Sequence, residues 1–184
     1  MHDPLFLSLW LKNFAPVGLP LYLKKAVSVF PQSRLLPGGV LRIYPIAFRE
    51  APLLEEYYDG DLDPQAAASR LQEHLHDDIA VQVQLRWDIY QWTGAWELKP
   101  STVLLEIFAP YFEAPRGEHL RLDLGPQRFY LPEPASDQLR PVQSNIRSIL
   151  HLATDLENDL IAERRLLWTE DEENFAERLK ALMD

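Results

Sequence analysis

A long alternation of apolar and polar residues over Ile79–Trp92 constrains the fold more than any other feature of this chain of 184 residues. Its apolar positions are Val81, Val83, Leu85, Trp87 and Ile89. A period of two over such a length is typical of a β-strand that buries one face. Thr93-Gly94 is a candidate tight turn, and residues 96–109 continue as a second strand with a bulge at Lys99-Pro100. The pattern therefore predicts a long β-hairpin.

Shorter patterns on both sides of the hairpin predict the remaining elements. Asp63 precedes Pro64, as an N-cap precedes the first turn of a helix. Thr169 and Glu172 form a capping box, which opens a short final helix that carries Phe175, Leu179 and Leu182. The other predicted elements are strands at 5–12, 40–48 and 120–124, helices at 20–30, 63–76 and 141–167, and a loop at 50–61.

The order of these elements is β-α-β-α-β-β-β-α-α, which predicts a single α+β domain over residues 1–184. In the favoured arrangement, a ferredoxin-like β-α-β start leads into an antiparallel meander and a long C-terminal helix. The alternative is a helix-grip sheet, in which one curved antiparallel sheet wraps that helix and encloses a cavity. In both arrangements residues 141–184 form a helical segment packed on the sheet.

Charge is distributed unevenly along the chain, whose formal net charge is −10. Residues 4–49 hold six bases and no acid, and residues 50–63 hold six acids and no base. Residues 155–184 hold ten acids and four bases. We expect the basic segment to face one of the acidic segments, in the same chain or in a second copy. Because a negative protein repels phosphate backbones, we expect no nucleic-acid partner.

Several classes of protein are disfavoured by what the sequence lacks. Without cysteine there is no disulfide, thiolate metal site or cysteine nucleophile. The longest stretch without charge is residues 13–23, shorter than the roughly 20 apolar residues of a membrane span. No glycine-rich phosphate loop and no G-x-S-x-G motif occurs. The sequence predicts a cytoplasmic protein without cofactors and without membrane contact.

Two sets of polar residues are candidates for a metal or catalytic site. His74 and His76 would share a face on a strand, but they diverge at the end of a helix, where the pattern places them. We therefore expect no metal, with His74 and His76 as the candidates should one bind. Glu106 and Asp123 are a candidate carboxylate pair on adjacent strands, although a polar strand face accounts for both.

Aromatic residues crowd the turn of the predicted hairpin. Trp87 belongs to the apolar alternation, so we expect it in the core. Tyr90, Trp92 and Trp96 flank a turn that must lie at the surface, and one small domain cannot easily bury them there. Tryptophan and tyrosine are enriched at binding hot spots. We therefore predict that Tyr90, Trp92 and Trp96 contact a ligand or a partner.

These observations favour a non-enzymatic protein that works as a protein-interaction or self-associating module. The partner is then a second copy of the chain or another protein. The alternative is a small-ligand-binding domain with a cavity between the sheet and the C-terminal helix. The third hypothesis is an enzyme of unknown class.

Overall fold

A computed structural model describes residues 3–131, 139–171, 173 and 175–183. It confirms the α+β class. Its strands are β1 (Pro4–Leu11), β2 (Gly39–Pro45), β3 (Leu54–Tyr58), β4 (Ile79–Trp92), β5 (Trp96–Phe108), β6 (Leu120–Pro126) and β7 (Ala162–Trp168). Its helices are α1 (Leu19–Val29), α2 (Pro64–Gln72), α3 (Arg140–Leu160) and α4 (Phe175–Ala181), with 3-10 turns at Pro16–Gly18 and Gln127–Phe129.

The strands form one antiparallel sheet in the order β3-β2-β4-β5-β6-β1-β7. The predicted hairpin is β4 and β5, which pair without a shift from Ala80 opposite Phe108 to Trp92 opposite Trp96. The bulge expected at Lys99-Pro100 is therefore wrong. Within the described sheet, β6 pairs with β5 only over residues 104–107, so the missing N–H of Pro100 costs no ladder bond there.

The ferredoxin-like start is not confirmed. Three strands, β4, β5 and β6, separate β1 from β2 in the sheet. In a split β-α-β unit, one strand lies between the two strands that the helix connects. Here the connection through α1 runs from β1 to β2 past three strands, which belong to the predicted antiparallel meander.

The inner face of the sheet packs against α1 and α3, and α2 packs on α1. Trp87 lies in this core, as predicted, with 2% of its surface exposed. Alternation along each strand explains why the core is continuous, since every second side chain points inward. The inner strand residues include Leu5, Leu7, Leu9, Leu41, Ile43, Val81, Val83, Leu85, Val103, Leu105, Leu120 and Leu122.

The helix expected over residues 141–167 is wrong from residue 161 onward. The chain leaves α3 at Ile161, whose left-handed backbone (φ 54°) ends the helix, and then forms β7. β7 pairs with β1, and the N–H of Lys12 donates to the Ile161 carbonyl at 2.9 Å. The segment 141–184 is therefore not wholly helical, because an edge strand inside it completes the sheet.

Two smaller boundaries also differ. The predicted loop 50–61 contains β3, whose Glu55 lies opposite Arg42 of β2 and pairs with it at 2.7 Å. β2 ends at Pro45, before residue 48, because the next residue, Ile46, has φ 67° and turns the chain. Asp63 caps α2 as predicted, accepting from the Ala66 N–H.

The predicted final helix corresponds to α4, and its residues Phe175 and Leu179 are buried in the core. Glu172, the second member of the predicted capping box, lies outside the described residues. In the described part of the chain, no helix has the length and apolarity to cross a membrane.

Candidate functional site

The three aromatic residues predicted as a contact site lie together at the free end of the β4–β5 hairpin. Trp92 and Trp96 are directly opposite each other, with ring centroids 5.6 Å apart. Trp92 keeps 39% of its surface exposed. Trp96 is half-buried and packs against the edge of the core. The structure therefore brings the predicted residues together but divides their roles.

Tyr90 is half-buried, and its backbone is held by a residue that the sequence did not single out. Asn145 of α3 is 1% exposed, and its Oδ1 accepts from the Tyr90 N–H at 2.8 Å. Its Nδ2 donates to the carbonyls of Tyr90 and Phe129, both at 2.8 Å. Asn145 therefore anchors β4 to α3 just before the hairpin leaves the body of the protein. The available signal was a polar residue beside Ile146 in the apolar stripe of a helix.

Leu98 is a second residue that sequence reasoning missed. It lies directly opposite Tyr90 and is 46% exposed. Because side chains two apart on a strand share a face, Tyr90, Trp92, Trp96 and Leu98 form one surface, here called the hairpin-end patch.

Charged side chains lie on both faces of the hairpin end. Glu97 and Lys99 alternate with the patch residues along β5, so they lie on the face opposite the patch, where they pair at 3.0 Å. Arg128 lies on the other side, where it lines a shallow recess of about 150 Å³ with Trp92, Trp96 and Phe129. The patch thus has an apolar centre with Arg128 at its edge; aromatic residues and arginine are enriched at protein interfaces.

The region under α3 was the predicted place for a ligand cavity. A recess of about 110 Å³ lies there, lined by residues that include Ile149, Ala153, Leu167 and Lys180. Small-molecule sites usually measure about 300–1,000 Å³. Ile146 and Ile149 are fully buried, so side chains fill most of the space between the sheet and α3.

His74 and His76 lie beyond the end of α2 rather than in its last turn. The His74 N–H donates a hydrogen bond to the Leu71 carbonyl, which tightens the chain after the helix ends at Gln72. The His74 Nδ1 lies 3.1 Å from the Arg70 carbonyl oxygen, while His76 is exposed. Among the described residues, no three His, Asp or Glu side chains are placed to hold a metal ion.

Glu106 and Asp123 share the outer face of the sheet but are not directly opposed. Glu106 lies opposite Arg121, whose Nε and Nη2 donate to Oε1 at 3.0 and 2.7 Å. The Gln82 Nε2 donates to the other carboxylate oxygen. Burial raises the pKa of Glu106, and the Arg121 guanidinium opposes that shift. Glu106 therefore forms a buried ion pair with Arg121. Asp123 lies diagonal to Glu106, so the two carboxylates do not face each other.

Among the described residues, the charge pairing expected for the basic segment 4–49 is realised within the chain at one position. Arg42 pairs with Glu55 of the acidic segment 50–63. Arg49 pairs instead with Glu113, which belongs to neither acidic segment. Contacts between copies through these charges stay a prediction.

Comparison with known proteins finds no matching family model and no significant similarity to a curated protein or to a solved structure.

Proposed function

We propose that the protein is a non-enzymatic interaction module and that the hairpin-end patch is its contact surface. The observation that carries the proposal is the exposure of Trp92 and Leu98, diagonal neighbours on one face of the hairpin end. Burying a large apolar side chain contributes roughly 1.5–3 kcal/mol, so a partner that covers both residues gains a sizeable free energy. Asn145 holds the base of the hairpin and limits the entropy lost on contact.

A second copy of this chain is the partner that the patch fits best. A two-fold interface places the same surface against itself and must be self-complementary. The apolar centre meets this requirement directly.

The finer features of the proposal rest on sequence and shape. We propose a cytoplasmic location from the absence of cysteine, and no nucleic-acid partner from the net charge of −10. We also propose the helix-grip arrangement as the better description, since the strands form one antiparallel sheet against α3. The small recess under α3 gives less support to a ligand cavity there.

The test is a double variant, Trp92→Ser with Leu98→Ser, compared with the wild type by light scattering and thermal unfolding. Both side chains are exposed, so we expect the melting temperature to hold while self-association weakens at least about tenfold. Leu53→Ser is the matched control, because Leu53 is 49% exposed and its N–H donates to Ile43, which lies opposite Val81 at the other end of β4. It should leave both measurements unchanged.

Trp96→Ser separates contact from packing, because Trp96 also packs against the core. We expect this variant to lose stability as well as association. A wild-type protein that is monomeric, together with a double variant that unfolds at a much lower temperature, would show that the patch is ordinary core.

A further inference from the structure

The strand β3 is one of the two outermost strands of the sheet, and its outer edge pairs with no other described strand. Alternate residues of an antiparallel strand direct their N–H and carbonyl groups to opposite sides. The Ile43 carbonyl bonds towards β3, where it accepts from the Leu53 N–H at 2.7 Å, and Ile43 lies opposite Leu54. Residues 54, 56 and 58 therefore face β2, whereas Glu55 and Tyr57 direct their backbone groups away from the sheet.

The outer edge of β3 lacks two of the features that block pairing with a further strand. Natural proteins block such edges with prolines, bulges or charged side chains. β3 contains no proline, and it pairs with β2 in a continuous register. The other edge strand, β7, has a register shift against β1 and carries Arg164 and Arg165. The edge of β3 is therefore open to a further strand unless its own charges oppose one.

The two glutamates of β3 do not leave the strand charged. Glu55 pairs with Arg42 of β2 at 2.7 Å, and Glu56 pairs with Arg70 of α2 at 2.8 Å. An incoming strand therefore meets open backbone groups and compensated charges along β3.

Carboxylates without a cation lie near both ends of β3. Glu50 precedes the strand, Asp59 and Asp61 follow it, and none of the three forms an ion pair with a described residue. Arg86 lies near Tyr58, where its charge opposes that of Asp61. The surroundings of the edge stay negative, and the whole chain has a formal net charge of −10. A basic segment is therefore attracted to this edge, within a screening length of about 10 Å at 0.1 M salt.

Tyr57 offers apolar surface beside the open backbone groups. Its side chain is 68% exposed, and its hydroxyl donates to the Glu55 carboxylate at 3.0 Å, which holds the ring on the outer face of the sheet. Cross-strand pairs of aromatic and β-branched residues stabilise a sheet. A valine on an incoming strand could therefore pack against this ring.

We propose that the outer edge of β3 binds an extended basic peptide segment of another protein, which adds an eighth strand to the sheet. The backbone groups of Glu55 and Tyr57 supply the hydrogen bonds of strand addition, and the acidic surroundings select lysine or arginine. A second copy of the chain is a poorer occupant, because its β3 has the same negative surroundings and its β7 has an interrupted register. The site is independent of the hairpin-end patch.

The test is an NMR titration of the whole chain with a capped heptapeptide that alternates lysine and valine. We expect a dissociation constant of about 0.1–1 mM. The amide protons of Glu55 and Tyr57 should become protected from exchange with water, because each then donates a hydrogen bond to the peptide. A contact through side chains alone would leave both amides exchanging freely. The same peptide with glutamate in place of lysine should bind at least about tenfold more weakly.

Two substitutions at Tyr57 separate the backbone from the ring. Tyr57→Pro removes the outward N–H but leaves the ladder to β2, which Leu54 and Glu56 form. We expect it to weaken peptide binding at least about tenfold, through the lost hydrogen bond and the bulk of the proline ring. Tyr57→Ala is the matched control, because it removes the ring and keeps the N–H, and it should weaken binding only about threefold. Thermal unfolding verifies that both variants are folded.

A double variant tests the charge. Asp59→Asn with Asp61→Asn should weaken binding of the lysine peptide about fivefold at low salt. Asp155→Asn with Asp159→Asn is the matched control, because both residues are exposed on α3, which leads into the other edge strand. This control should leave the affinity within about twofold of the wild type.

The proposal is overturned if the lysine peptide gives no saturable shift up to about 5 mM. It is also overturned if the glutamate peptide binds equally well, if the Glu55 and Tyr57 amides stay unprotected, or if the two Tyr57 variants bind equally. The Trp92→Ser, Leu98→Ser variant should bind the peptide as the wild type does. Failure of the hairpin-end patch as a contact surface is therefore distinguishable from failure of this edge.

Discussion

Asn145 shows how one buried polar side chain fixes the geometry of a candidate contact surface. Its amide satisfies the N–H and carbonyl of Tyr90 and the carbonyl of Phe129, which come from two different elements. Burying an amide that makes three hydrogen bonds costs little free energy. If the amide is removed, each of its backbone partners is left buried without a hydrogen bond, which destabilises the fold. The position of the hairpin therefore depends on a residue outside the hairpin.

Replacing Asn145 by alanine should lower the free energy of unfolding by about 3 kcal/mol, because three buried backbone groups lose their partner. Urea unfolding measures the change. Asn158→Ala on the exposed side of the same helix is the control and should change stability by less than about 0.5 kcal/mol. Equal effects of the two substitutions would mean that the three bonds contribute nothing net.

His119 carries a pH dependence whose sign follows from its environment. Burial lowers its pKa below the ordinary value of 6.5, and Glu163 opposes the shift. The unfolded chain therefore takes up the proton more readily than the folded protein. The stabilisation is present above pH 6.5 and is lost as the pH falls below that value.

We predict that His119→Gln flattens the fall in unfolding free energy between about pH 7.5 and pH 5.5. Urea unfolding at a series of pH values measures it, with His76→Gln, an exposed histidine, as the control. If the two variants have the same pH profile, His119 is not the group responsible.

At the scale of elements, local signals and long-range pairing decide different parts of the structure. The β4–β5 hairpin could be predicted because its alternation and its turn lie in one continuous stretch of sequence. For the same reason the sequence located Tyr90, Trp92 and Trp96 near a surface turn. Leu98 and Asn145 required the register and the packing of α3, which no local pattern contains.

β7 could not be predicted from its own residues. Leu160 and Leu167 are seven apart and continue the helical phase of α3, so periodicity alone extends the helix. The deciding factor is the open edge of β1, whose backbone groups need a partner that is distant in sequence. β3 was missed for a related reason, since its glutamates disfavour a strand until Arg42 and Arg70 neutralise them.

The junction between α3 and β7 offers a test of this explanation. Ile161 adopts φ 54° and is 61% exposed, so its side chain contributes little packing to offset the strain. Ile161→Gly should raise the free energy of unfolding by about 1 kcal/mol, because glycine adopts this conformation without strain.

Thr154→Gly, at an exposed position inside α3, is the control and should lower stability by a few tenths of a kcal/mol. Urea unfolding compares the two variants. A loss of stability in Ile161→Gly would mean that the isoleucine side chain, rather than the backbone turn, secures the junction.

At the scale of the whole molecule, net charge opposes any association of identical copies. Each copy carries a formal charge of −10, and Arg42 already satisfies its acidic neighbour within the chain. An apolar contact between such copies must overcome long-range repulsion, which salt screens.

We therefore predict that self-association strengthens when ionic strength rises from about 0.05 to 0.5 M, where the screening length falls from roughly 14 to 4 Å. Light scattering over a salt series measures it. A weakening with salt would indicate that copies associate through opposite charges, such as the segments 4–49 and 50–63, and a constant mass would exclude a role for charge.

The most direct measurement of the central claim is a search for contacts between copies in a mixture of isotope-labelled and unlabelled protein. Intermolecular NOEs detect only protons that lie close together across an interface. We expect such NOEs from the Trp92 ring to Leu98 methyl groups of the other copy, and we expect their loss in the Trp92→Ser, Leu98→Ser variant. Intermolecular NOEs confined to the edge strands β3 and β7, with none at the hairpin-end patch, would contradict the account.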